Sequence, residues 1–193
     1  MALLLGVAVA AAVPPPPPFH LDPDDIALLS EGGRISRSHK DGEAELGLSA
    51  SLVRGDPAAV WREIADYDRY VAYLPYVTAS QRIGEEERDG HPVILARLEL
   101  TTRHLTTRYT LDHHQGPDFV WFELRSVSGS PVRAAEGWWT LTPWEPDPTR
   151  LLLAYQVRVE TAWYVPAALK QRAADLGLNR FAGLVAQQVE RGR

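Results

Sequence analysis

The sequence predicts an α+β domain: a seven-stranded antiparallel sheet, two short helices between its first and second strands, and one long C-terminal helix. Three observations carry this expectation. Residues 44–53 alternate apolar and small or polar side chains, residues 76–160 break into six strand-length runs separated by turn residues, and residues 167–191 hold no proline and only two glycines in an amphipathic pattern. The 193 residues suit one domain of ordinary size with a tail.

Each element has its own local signature. Asp22 before Pro23, with acidic residues following, marks the start of a short helix over 22–30, and Gly32-Gly33 ends it. Along 44–53, Leu46, Leu48, Ala50 and Leu52 recur at the period of a half-buried strand. Asp56-Pro57 repeats the cap-then-proline signal for a helix through Val60, Trp61 and Ile64. Tyr67, Tyr70 and Tyr73 then fall three residues apart, on one side of a second short helical turn closed by Pro75. The six later strands are expected at 76–83, 92–100, 103–113, 119–127, 135–144 and 151–160. Asp89-Gly90, Gly116-Pro117-Asp118, Ser128-Gly129-Ser130-Pro131 and Glu145-Pro146-Asp147-Pro148 separate them as hairpin connections. In the final helix Leu169, Ala173 and Leu176, then Phe181, Leu184, Val185 and Val189, form the apolar stripe.

Composition narrows the function. A net charge of −5 and a pI near 5.7 argue against nucleic acid, since phosphate binding needs a basic surface. The absence of cysteine removes disulfides, thiolate metal sites and thiol nucleophiles. Residues 1–13 (MALLLGVAVAAAV) are too short to span a bilayer, which takes about 20 residues, but long enough for the core of a signal peptide. Ala8, Ala10 and Ala12 offer small-residue cleavage positions, although no Lys or Arg follows Met1. Export, to a bacterial periplasm, is the expectation; a cytoplasmic protein with an irregular tail is the alternative, and an uncleaved leader would be a tether. Pro14–Pro18 form a stiff polyproline II spacer. The expected division is a leader and spacer over 1–18, an extension with a short helix over 19–43, and the domain proper over 44–193.

Three passages, in this order and spacing, resemble the START-like superfamily. Trp61-Arg62-Glu63-Ile64-Ala65-Asp66-Tyr67-Asp68-Arg69-Tyr70 followed by Leu74-Pro75-Tyr76-Val77 is similar to the helix–helix–strand passage of its polyketide cyclase/dehydratase and lipid-transport branch. Gly137-Trp138-Trp139-Thr140-Leu141-Thr142-Pro143 is similar to that branch's penultimate strand, and Trp163-Tyr164-Val165-Pro166 to its entry into the last helix. The resemblance, which also takes in the coenzyme Q-binding proteins, implies a helix-grip fold. A strongly curved sheet would wrap the long helix around a cavity for a lipid, quinone, polyketide or other apolar molecule, and no cofactor is implied.

Strand alternation says which residues would line such a cavity. Charged or polar neighbours turn Leu153, Tyr155, Val157 and Val159 inward, and likewise Phe122 with Leu124 and Tyr109 with Leu111. Trp139 and Leu141 share an inward face, and Leu176 and Phe181 of the helix complete the lining. Tyr67, Tyr70 and Tyr73 are placed at the cavity mouth, where they could gate it or simply anchor the short helix on the sheet. Trp138 falls opposite Trp139, so one indole is expected to be partly exposed, available for a transient membrane or partner contact.

Catalytic and metal signals are weak. His39, His91, His104, His113 and His114 lack a helical metal-ligand spacing, and His113-His114 reads as the approach to a turn, so no metal site is expected. Ser128 and Ser130 sit in a hairpin loop and not in a nucleophile elbow. Arg97, Glu99, Arg103, His104 and Arg108 could serve a cyclase if they pointed inward, but alternation puts them on the solvated face. Three readings stay open: a carrier of a lipid, quinone or other apolar molecule; a polyketide-type cyclase, aromatase or dehydratase; and a non-catalytic interaction module with a collapsed cavity. The sequence does not specify ligand identity or oligomeric state.

Overall fold

The structure is a computed structural model that describes residues 14–88, 90–101, 106–116, 118–161 and 180–192. Both expected N-caps form. Helix α1 (Pro23–Ser30) opens on a capping box in which the Asp22 and Asp25 side chains accept from each other's backbone N–H, and α2 (Pro57–Ala65) opens on the Asp56 carboxylate accepting from Ala58 N–H. Tyr67–Arg69 makes a 3-10 turn that leads directly into α3 (Tyr70–Tyr73).

The sheet has eight strands and not the expected seven. They are β1 (Arg34–Asp41), β2 (Ala44–Val53), β3 (Val77–Arg88), β4 (His91–Thr101), β5 (Thr106–Gln115), β6 (Phe119–Ser128), β7 (Val132–Pro143) and β8 (Leu151–Thr161). All neighbours are antiparallel, in the order β1-β2-β8-β7-β6-β5-β4-β3. The additional strand is β1, within the stretch read as a helical extension. Its sequence, RISRSHKD, offers one apolar side chain, Ile35, so it carries no alternation to read. It forms because its backbone pairs with β2 from Arg34 opposite Ser51 to Asp41 opposite Ala44.

The C-terminal helix is described as α4 (Phe181–Arg191); its expected earlier part, with Leu176 and the Trp163–Pro166 motif, lies outside the described residues. Helix α4 lies against β2 and β8. Its end is tied to the sheet by Arg54 N–H, which donates to Glu190 Oε1 at 3.1 Å. Among the described residues no helix is long and apolar enough to cross a membrane.

Two apolar layers share this sheet. On the inner face, Val53, Val120, Phe122, Trp139, Leu153, Tyr155 and Val157 pack against Val60 and Ile64 of α2 and Ala182, Val185, Ala186 and Val189 of α4. On the outer face, Leu29, Ile35, Ala50, Leu52, Trp144, Leu152 and Ala154 form a second cluster, covered by Phe19 and Leu21. Strand β8 supplies Leu153 and Tyr155 to the first and Leu152 and Ala154 to the second, which explains its continuous apolar run.

The expectation that Trp138 or Trp139 is partly exposed is overturned: they are 6% and 3% exposed. The cause is the N-terminal segment, which lies over the outer face so that Trp138 Nε1 donates to the Pro14 carbonyl at 3.1 Å.

Candidate functional site

The site is the inner face of the sheet where α2, the 3-10 turn, α3 and α4 close over it. Alternation along β5 to β8 delivers Phe122, Trp139, Leu153, Tyr155 and Val157 to one buried cluster, with Leu111, Leu141, Val159 and Phe181 packed partly buried against it. Its aromatic rings interlock. Tyr155 stacks on Phe181 at a centroid distance of 5.3 Å and on Phe122 at 5.8 Å, while Trp139 lies tilted on Tyr155 at 4.6 Å. Gly137 makes room for this: a Cβ there would lie 2.3 Å from Phe122 Cζ and 2.5 Å from the Gln156 carbonyl oxygen. Leu124 is half-buried and lines an open indentation of about 260 Å³ with Arg133, Glu136 and Arg158.

A second cluster adjoins the first under the short helices, where Tyr67, Tyr70, Leu74, Val77, Ala96 and Leu98 are buried with Tyr73, Tyr109 and Phe181 packed on them. Tyr67 and Tyr70, placed at a cavity mouth by the sequence, are each 3% exposed, and Tyr73 is half-buried. They anchor the short helices: Tyr70 Oη donates to the Ile64 carbonyl, and Ser80 Oγ to that of Tyr67.

Between the two clusters lies a polar pair that sequence reasoning missed. His113, 1% exposed, points inward from β5 beside Ile94 and Phe122, and its Nδ1 is 2.8 Å from the Tyr67 hydroxyl. Among the described residues that hydroxyl proton has no other acceptor, so Tyr67 donates to Nδ1 and the imidazole carries its proton on Nε2. Nε2 is buried and has no partner among the described residues. Burial, with His114 and Arg82 nearby, lowers the His113 pKa to about 3, so the ring is neutral. Desolvation likewise raises the hydroxyls of Tyr67, Tyr70, Tyr109 and Tyr155 well above their usual range, and Tyr73 is raised by burial and the adjacent Glu63. The interior thus offers neutral hydrogen-bond donors in an aromatic wall. A signal was available: the alternation that turns Tyr109 and Leu111 inward, continued by two residues, turns His113 inward as well.

The opposite face of β5 and β6 holds a separate ionic cluster. Asp112, His114 and Glu123 place ligand atoms within 4.8 Å of one another. Arg88 and Arg125 reach the buried Asp112 carboxylate at 2.9 and 2.6 Å, and both also pair with Glu86. With two guanidinium groups already on its central carboxylate, the cluster compensates its own charge and does not fit a cation. Of the sequence's cyclase candidates, Arg108 pairs with Glu99 at 2.6 Å on the outer face and Arg97 is exposed, while Arg103 and His104 lie outside the described residues.

A curved antiparallel sheet closed by short helices and a C-terminal helix over an aromatic inner wall defines the START-like, helix-grip class. Within it the chain belongs to the polyketide cyclase / dehydrase and lipid transport family, whose model matches residues 53–182, more than half of the sequence. Its fold is similar to that of a START superfamily protein from Mycobacterium smegmatis, with a TM-score of 0.63, 16% identity, and 77% of this chain and 99% of that chain covered. It is similar to an aromatase/cyclase from a Streptomyces species, with a TM-score of 0.56, 16% identity, and 77% and 94% covered. A STAR-related lipid transfer protein from Xanthomonas axonopodis gives a TM-score of 0.54 at 14% identity, with 80% and 98% covered. No curated protein matches the chain at a significant level.

Proposed function

We propose that the protein binds an apolar small molecule, a lipid or quinone among the candidates, between the inner face of the sheet and the C-terminal helix, and that the ligand carries a hydrogen-bond acceptor such as a carbonyl. One observation carries this reading: in a mainly aromatic and aliphatic interior, the Tyr67–His113 pair leaves the Nε2 donor of His113 buried and, among the described residues, unpaired. An unsatisfied buried donor costs about 1–3 kcal/mol, which a ligand acceptor would relieve. The stacked rings of Phe181 and Tyr155, 5.3 Å apart, join helix and sheet at this place, and a ligand seated between the two elements there would part them.

The same pair also supports a second reading, a cyclase or dehydratase in which it moves a proton. A general base works best with a pKa near the ambient pH, and a histidine held at about 3 is a weak base at neutrality, with a tyrosine beside it that stays protonated. The apolar leader supports an exported, periplasmic setting for this binding; N-terminal sequencing of the protein from its native cell would find a start shortly after Ala10 or Ala12 if that is right, and Met1 if it is not.

The decisive experiment compares native and denaturing mass spectra of protein purified without detergent, with identification of whatever organic solvent extracts. A near-stoichiometric apolar adduct that His113→Leu diminishes supports the reading. An empty protein that also takes up no fluorescent lipid, quinone or polyketide analogue refutes it.

A further inference from the structure

The outer face of the sheet carries a feature that the interior reading does not use. The strand registers set His114, Trp121, Trp138, Gln156, Leu48 and Arg37 side by side in one row across β5, β6, β7, β8, β2 and β1. Residues directly opposite on antiparallel strands share a face. Two members of this row bind the N-terminal segment: Trp138 Nε1 donates to the Pro14 carbonyl and Gln156 Nε2 to the Pro17 carbonyl, each at 3.1 Å.

The spacing has a physical basis. Five consecutive prolines are locked in polyproline II, whose period of three residues returns carbonyls to the same side. Pro14 and Pro17 are one such turn apart, and exposure follows the period, with Pro15 and Pro18 exposed while Pro14 and Pro17 are half-buried. A proline run has no N–H to offer and no internal hydrogen bonds, so it presents only acceptors and ring surface. The complement is an aromatic platform with side-chain donors, which Trp138 and Gln156 supply. Next in the row, the indole of Trp121 lies tilted against His114 at a centroid distance of 4.4 Å, and its Nε1 is buried without a partner among the described residues. It is a third donor in line.

We propose that the outer face of β6, β7 and β8 is a recognition site for a polyproline II helix, filled in cis by Pro14–Pro18 and able to take a proline-rich peptide in trans when the chain's own run is removed.

The test uses the full chain with Pro14 to Pro18 replaced by glycine and serine, titrated with a fluorescein-labelled decaproline peptide and followed by anisotropy and by the indole resonances of Trp121 and Trp138. Saturable binding with movement of both indoles is expected. The unaltered chain should bind at least tenfold more weakly, because its own run competes at an effective concentration in the millimolar range. Trp138→Phe in the altered chain should weaken binding roughly tenfold, the share of one good hydrogen bond. The proposal is overturned if the altered chain melts cooperatively yet binds no decaproline, binds a glycine-serine peptide equally well, or is indifferent to Trp138→Phe. Should the altered chain fail to fold, chymotryptic cleavage after Phe19 in the unaltered background decides: Trp138→Phe with Gln156→Ala must accelerate it at least tenfold, and an unchanged rate overturns the site.

Discussion

His113→Asn should flatten the acid side of the protein's stability profile. The asparagine amide keeps an acceptor near the position of Nδ1, so Tyr67 retains a partner, while the titrating group is gone. In the native chain the imidazole has a pKa of about 3 against 6.5 in the unfolded chain, with burial as the main cause. The native value is the depressed one, so between these limits the unfolded state binds the proton and the folded state does not. Stability from this group is therefore complete above pH 6.5 and is lost as the pH falls toward 3. Each pH unit inside the window is worth ~1.4 kcal/mol, so lowering the pH from 6.5 to 4.5 should remove roughly 2 kcal/mol through His113 alone. Urea unfolding of both proteins across that range measures it. Carboxylates and His114 titrate in both, and the smaller side chain adds an offset that does not depend on pH, so only the difference in slope counts. Parallel profiles would show that His113 exchanges its proton freely in the folded state, and the buried neutral pair would have to be abandoned.

Tyr67→Phe leaves Nδ1 of His113 buried without its one partner among the described residues and should cost about 1–3 kcal/mol, read as a lower urea midpoint at unchanged m-value. Gly137→Ala drives a methyl into the Phe122 ring and the Gln156 carbonyl, and because the carbonyl belongs to the sheet it cannot yield; calorimetry should show a loss of roughly 1–3 kcal/mol. Arg88→Ala and Arg125→Ala should each be tolerated better than their combination. Either guanidinium can still compensate the buried Asp112 when the other is gone, so the double variant should lose more than the sum of the singles in a thermal-melt cycle.

Much of this architecture was legible because its signals are local. The Asp22 and Asp56 caps, the turns between strands and the inward parity of β6 to β8 each depend on residues a few positions apart. Strand β1 was hidden because an edge strand with a single apolar residue is defined by its partner's free backbone and not by its own pattern. The burial of Trp138 was hidden for a related reason: the group that covers it lies 124 residues away in sequence. His113 was legible in principle, but its polar identity and the nearby Gly116-Pro117 suggested a turn. The sequence cannot show that Tyr67, on a different element, supplies the partner that makes an inward histidine tolerable.

Because β8 belongs at once to the inner and the outer apolar layer, neither layer is a separate unit. A chain begun at residue 44 would strip Leu152 and Ala154 of the cover given by Phe19, Leu21, Leu29 and Ile35, and would weaken the same strand that holds Leu153 and Tyr155 at the site. The N-terminal segment and the inner wall thereby share one strand, and loosening at the first residues of the folded chain should be felt as softness in the wall that the proposed ligand would touch.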